Sequence, residues 1–309
     1  MLHARRMDAD TGSDTVRRFL VEDQPVRGHW VRLDAAWREL RANGDYPPPV
    51  RALLGEAVAA SVLLAATLKF RGRLTLQMQG SGAVQLLVAQ CTHQFGVRAV
   101  AQYDEALVAT LGEAGNVGEA FHALAGEGGR VTVTIEADER NLRYQGIVPL
   151  TGRSLAESLE GYFRASEQLP TRVHLAADGH SCAGLLVQKL PQNETDTDDL
   201  WRSVEHSMSR LAAGALLHEG AESLLGAALP AHDVRLFRGT PVRFECRCGE
   251  GRVTSLLRAL GAEEVRDILA EQGAVTVTCE FCHRPYRFDA QAVEALFTGG
   301  ASEHSLSIH

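Results

Sequence analysis

The chain has 309 residues, 45% hydrophobic and 23% charged, which is enough for about two globular domains whose cores need no disulfide staples. A net charge of −8 excludes a general polyanion binder, because neutralising phosphates takes a surplus of Lys and Arg. The opening MLHARRMDADTGSDTVRR is charged and polar, with no apolar signal region, so the expected location is the cytoplasm.

Residues 1–14 read as a disordered leader. Arg17–Arg32 alternates in a strand-like way, and Leu33–Leu40 reads as a short helix. After Pro47-Pro48-Pro49, Val50–Leu68 is a helix apolar on most sides. Its apolar run, Gly55–Leu68, is short for a bilayer span and carries Glu56, so a buried helix is expected. Arg73–Gln79, Val84–Cys91 and Val97–Tyr103 are strands, with Gln79–Gly82 turning between the first two. Arg130–Ala137 and Leu142–Val148 make a second hairpin around Glu139-Arg140-Asn141. Ser154–Ser166 is a helix with Leu155, Leu159, Tyr162 and Phe163 on one face, stopped at Leu169-Pro170. Arg172–Ala177 and Ala183–Leu190 are two further strands. Mixed strands with helices inserted at intervals give an α+β class. The expected architecture is a mixed α/β core over 15–191 with antiparallel-rich sheets, followed by a helical linker and a small C-terminal module.

Composition changes at Pro191. Gln192–Asp199 (QNETDTDD) is acidic and has no apolar anchor, so 192–233 reads as an acidic hinge and helical linker. Leu200–Leu224 is helical, with Leu200, Val204, Met208, Leu211 and Ala215 on one stripe and a break expected at Gly220. Such a stripe is in most proteins ordinary helix packing. Leu225–His232 leads out through Pro230. The segment 234–298 holds four of the six cysteines between two flanking strands, with short helices at Arg252–Leu260 and Ala262–Gln272 and a last helix at Ala290–Phe297. Residues 299–309 read as a disordered tail.

Six cysteines in a cytoplasmic protein are not a disulfide framework by default. Cys91 and Cys182 stand alone in apolar, strand-like surroundings and read as small core residues. The stretch TCEFCHRPY (Thr278–Tyr286) fits three chemistries: a c-type haem attachment, half of a zinc site, or a redox dithiol. Haem leaves the second pair, Cys246-Arg247-Cys248, unexplained. A thioredoxin-like dithiol belongs in a βαβ unit, whereas this one sits in a strand–turn–strand. Structural zinc wants four ligands on two close-spaced pairs, which Cys246, Cys248, Cys279 and Cys282 supply. Adjacent thiols of this kind can also close on each other after oxidation, with some ring strain. A nucleic-acid-binding zinc ribbon needs a basic face, but Arg235–Thr298 carries nine arginines against nine Asp and Glu. No Ser/His/Asp grouping, Walker-type loop or paired carboxylates stand out, and the twelve histidines are scattered, so an enzyme is not expected.

These residues carry a resemblance. VTCEFCHRPYRFD (Val277–Asp289) and VEALF (Val293–Phe297), with LQMQGSGAVQLLVAQC (Leu76–Cys91) and YFRASEQLPTRVHLA (Tyr162–Ala176), make the chain resemble the heat-shock protein 33 family of redox-regulated holdase chaperones over nearly its whole length. The resemblance implies one zinc per chain, held by Cys246, Cys248, Cys279 and Cys282 in a reduced, inactive state. It implies oxidation to Cys246–Cys248 and Cys279–Cys282 disulfides, with loss of zinc and unfolding of module and linker. ATP-independent holding of unfolded clients by a homodimer would follow. Arg247 and Arg284 would favour thiolates beside the site. Leu200, Val204, Met208 and Leu211 are the candidate client contacts, covered until release. Ser166, Glu167 and Gln168 are expected to maintain the fold. No nucleic-acid or membrane partner is expected. Two rivals stand beside this reading: a constitutive structural zinc protein acting as an interaction module, and a thiol–disulfide oxidoreductase using Cys279 and Cys282.

Overall fold

A computed structural model describes residues 13–111, 117–138, 142–191, 198–230 and 232–298. The expected turn at 139–141, most of the acidic run 192–199 and the tail 299–309 lie outside the described residues. The chain divides into two compact units, Met1–Glu245 and Cys246–His309.

The first unit opens with a hairpin of β1 (Thr15–Val21) and β2 (Val26–Leu33), followed by α1 (Ala35–Arg41). The cap of α1 comes from outside the helix: the Asp14 carboxylate accepts from the backbone N–H groups of Asp34 (3.0 Å), Ala35 (3.0 Å) and Ala36 (2.7 Å). A negative charge on the free N–H groups of a helix start is stabilising. Asp14, expected in the leader, therefore belongs to the fold.

α2 (Pro48–Thr67) starts on prolines, where a missing N–H costs nothing, and buries Val50, Leu54, Val58 and Val62 among many others. The helix expected over Val50–Leu68 is present, starting two residues earlier and ending one earlier. At 20 residues and mean hydropathy 1.6 it is long and apolar enough to cross a membrane, yet 72% of its most apolar window is buried inside the fold. A side chain at Gly55 would come within 2.4 Å of Ala177 and 3.1 Å of Trp37, so glycine lets α2 lie close on its sheet. Burial pushes the Glu56 carboxyl up to about 8, which keeps the only acid of α2 largely neutral.

Two sheets sandwich this helix. β3 (Gly72–Gln79), β4 (Val84–Thr92) and β5 (Gly96–Tyr103) follow, then α3 (Glu105–Thr110) and α4 (Val117–Ala125), two short helices absent from the sequence expectation. The hairpin of β6 (Arg130–Ala137) and β7 (Leu142–Pro149) comes next. α5 (Leu155–Tyr162) runs into a π-helical turn, Phe163–Glu167, that ends in a left-handed Gln168. The α-helix therefore stops earlier than the expected Ser166. β8 (Thr171–Ala177) and β9 (Cys182–Lys189) complete the core strands.

The linker forms α6 (Asp198–Arg210), α7 (Ala213–His218) and α8 (Ala221–Ala228). The expected break at Gly220 is present, but a second at Leu211-Ala212 makes three helices, and α8 runs through residues expected to lead out. Beyond it, β10 (Val234–Leu236) and β11 (Thr240–Pro241) pair with β1, while β12 (Arg243–Phe244) runs parallel to β5. The expected domain start at 234 thus gives way to a first unit ending at Glu245.

One sheet has the order β10-β1-β2-β9-β8, with β11 also on β1; the other has the order β12-β5-β4-β3-β6-β7. Apart from β12 all these pairings are antiparallel, as the α+β reading requires. The first sheet is buried on both faces. Val31, Leu33 and Leu186 face α2, while Phe19, Trp30, Leu185 and Val187 lie under the linker helices. Double burial is why β9 reads as a continuous apolar run and not as an alternation.

The second unit contains α9 (Glu250–Leu260), α10 (Ala262–Gln272), the hairpin β13 (Val275–Thr278) with β14 (Pro285–Phe288), and α11 (Ala290–Thr298). Its core is small, built on Val253, Leu257, Val265, Val275, Phe288 and Val293.

Candidate metal centre

Two knuckles place the four thiols. Cys246 and Cys248 precede Gly249, the N-cap of α9. Cys279 and Cys282 lie in the β13–β14 turn, which Cys279 N–H closes onto Arg284 C=O (3.0 Å) and His283 N–H onto Cys279 C=O (2.8 Å). His283 takes a left-handed φ of 51° to complete that turn and is exposed, so it stays out of the sulfur cluster.

All four sulfurs lie within 4.8 Å of one another; Cys246 Sγ is 3.7 Å from Cys279 Sγ and Cys248 Sγ 3.3 Å from Cys282 Sγ. A tetrahedral Zn–S4 site with ~2.3 Å bonds has sulfur–sulfur edges of about 3.8 Å, so the spacing suits that ion. The donor set fits as well: four thiols and no other ligand type, each half-buried. All four are free thiols here.

Burial opposes ionisation of Cys248, but the nearby Tyr286 hydroxyl and the other three thiols outweigh it and pull this thiol down to about 7. Burial and the same neighbouring thiols push Cys282 up to about 12. Burial also raises Cys246. Tyr286 is held by Arg284, whose guanidinium stacks over its ring at 5.7 Å. No sequence pattern had pointed to Tyr286; only the β14 register brings it beside the cysteines.

The remaining site candidates sit elsewhere. Leu200, Val204 and Met208 are 8%, 1% and 3% exposed, and Leu211 is partly buried. They pack with Phe19, Trp30, Leu185 and Val187, so the stripe is covered by the first sheet. α6 is also held by charge, because Arg172 bridges Glu160 (2.7 Å) and Glu205 (2.8 Å), and Glu205 accepts from Trp201 Nε1 (3.0 Å). Arg172 closes the motif SEQLPTR, whose role was read only as fold maintenance; its partner Glu205 lies too far along the chain for spacing to link them. Cys91 and Cys182 are fully buried, and burial raises both thiols well above their usual range, which leaves them inert.

The family model described as Hsp33 protein matches residues 14–289. The 33 kDa chaperonin of Nitrosococcus oceani is 42% identical over 285 residues, covering 92% of this chain and 94% of its own. That of Methylobacillus flagellatus is 42% identical over 288 residues, covering 93% and 95%. The crystal structure of the 33 kDa chaperonin, a heat shock protein 33 homolog, from Thermotoga maritima superposes with a TM-score of 0.77 at 22% identity, covering 93% of this chain and 98% of that one.

Proposed function

Since the chain belongs to the Hsp33 family, we propose that it is an ATP-independent holdase chaperone, switched on by oxidation of its four-cysteine centre. The observation that carries this reading is a pairing of two features. Four thiols converge within 4.8 Å in a module with little core of its own, while the linker's apolar stripe is held covered. Cys246, Cys248, Cys279 and Cys282 are the residues that would hold one zinc in the reduced state. Zinc there would keep the sulfurs as thiolates at neutral pH and add on the order of 10 kcal/mol to the folding of the module.

Activation is a four-electron oxidation of the chain. In each pair, Cys246 with Cys248 and Cys279 with Cys282, one S–S bond forms. The two thiolates give two electrons to one hydrogen peroxide, which takes two protons from solvent and leaves as two waters. The local pairing is the one the family resemblance implies, although in the folded module Cys246 also lies 3.7 Å from Cys279 and Cys248 3.3 Å from Cys282. Once paired, the sulfurs no longer serve as thiolate ligands. The module unfolds, α6 to α8 come off the sheet, and Leu200, Val204, Met208 and Leu211 meet clients. The active form is a homodimer, its partners are unfolded polypeptides, and its compartment is the cytoplasm, where thiols stay reduced until stress.

The test is zinc release, read with a chromophoric chelator, alongside suppression of client aggregation, before and after peroxide with mild heating. Zinc loss and holding activity that rise together and reverse with a thiol reductant are expected. Disulfide mapping should return the two local pairs. Zinc that stays bound through peroxide, with clients aggregating regardless, would leave only a constitutive structural zinc module.

A further inference from the structure

The sheet β12-β5-β4-β3-β6-β7 ends, among the described residues, on β7 with no strand beyond it. The ladder phase on this edge follows from the Leu150 N–H bond to Gly129 C=O at 2.9 Å. Counting back by two through the β6–β7 register turns Val148, Gly146 and Tyr144 toward β6. The backbone groups of Arg143, Gln145 and Ile147 therefore point outward. Pro149 falls on the same outward phase, where its missing N–H costs no bond. Protected edges carry charges, prolines, bulges or a covering element; this one has Arg143 and Pro149 toward its two ends, and between them Tyr144 and Ile147, which are 53% and 61% exposed.

A cavity of about 120 Å³ lies behind Tyr144, on the face of the sheet that looks toward α2. Leu68, Ile135, Tyr162, Phe163 and Leu169 line much of it. It is of the order of the roughly 150 Å³ cavity that accepts benzene in another protein. The Tyr144 and Tyr162 hydroxyls meet at 3.1 Å across its mouth. Gly146 makes room for this closure, since a Cβ there would stand 2.8 Å from the Tyr162 hydroxyl. Leu68, 42% exposed, extends the apolar rim.

An outward ladder repeating every second residue is matched by an extended backbone and by neither a helix nor a small molecule. We propose that the β7 edge and the cavity behind Tyr144 form a docking groove for an extended apolar polypeptide segment. The segment adds to the sheet as a further strand and packs one large side chain on Tyr144 and Tyr162. This rests on the reading of the protein as a binder of unfolded chains, and it names a surface separate from the linker stripe.

The experiment uses the full chain, reduced with zinc and again after peroxide. The probe is a fluorescein-labelled ten-residue peptide of alternating valine and threonine with one central phenylalanine. Anisotropy gives binding, and amide exchange gives the place. Protection of the Arg143, Gln145 and Ile147 amides on adding peptide is expected, with binding weakened at least tenfold by Ile147→Lys and by Gln145→Pro. Both substitutions are on the solvent edge, and an unchanged melting temperature shows that each variant is folded. If the peptide binds but these amides stay unprotected, or if both folded variants bind like the parent, the groove is not the site. Protection that appears on concentrating the protein without peptide makes the edge a contact between copies and also overturns the proposal. Holding activity without edge protection sinks this inference and leaves the chaperone reading standing. Edge protection without holding activity does the reverse.

Discussion

His29 shows what one side chain costs. It is buried on β2 with its Nδ1 lacking a hydrogen-bond partner. Burial first, then the charges of Arg27 and Arg18, bring its imidazole down to about 4. In the unfolded chain it takes its proton near 6.5. Between those values the unfolded state binds a proton that the folded state refuses. The contribution is therefore intact above pH 6.5 and lost as pH falls toward 4, by up to about 3 kcal/mol. His29→Leu should flatten the fall in melting temperature between pH 7 and pH 4.5; a fall as steep as the parent's would place the acid sensitivity elsewhere. The Asp14 cap works at the same scale, a single carboxylate satisfying three N–H groups from twenty residues upstream. Neither was legible in sequence, because both depend on which strands become neighbours. The convergence of the four cysteines was legible, since short paired spacings survive any fold.

At the scale of elements, the strands were readable where alternation and turns coincide, as in β3 to β5 and β6 with β7. The misses have physical causes. α3 is too short to show a helical period. The π turn after α5 follows from tertiary packing. The break at Ala212 has neither Gly nor Pro to announce it. β10 to β12, of two or three residues each, exist only because β1 and β5 offer them partners. The grip on α6 is testable at this scale. Glu205→Ala removes one carboxylate from Arg172, which keeps Glu160, so α6 is loosened without stranding a charge. A loss of about 2 kcal/mol is expected for a charged hydrogen bond of this kind. Amide exchange in α6 should accelerate in the reduced protein, and some holding activity should appear before any oxidant is added. Exchange at the parent's rate would mean that Leu200, Val204 and Met208 hold the helix by themselves.

For the whole molecule, the path from the cysteines to the linker runs through the chain itself. Behind Cys246 come β12, β11 and β10, and only then α8, α7 and α6. Val242, 3% exposed, anchors this stretch in the main core. Val242→Ala should cost about 2 kcal/mol by area and cavity. It should also lower the temperature at which α6 loses amide protection, while the zinc content of the module stays unchanged. If zinc is lost first at the lower temperature, the effect has travelled the other way. On the proposed switch, these three short strands are the covalent route from the cysteines to the linker helices, with β10 and β11 resting on β1 and β12 on β5. Each is only two or three residues long and depends on its partner strand. If the proposed switch operates, a brief oxidative pulse that opens the module would leave the linker covered for as long as these pairings hold.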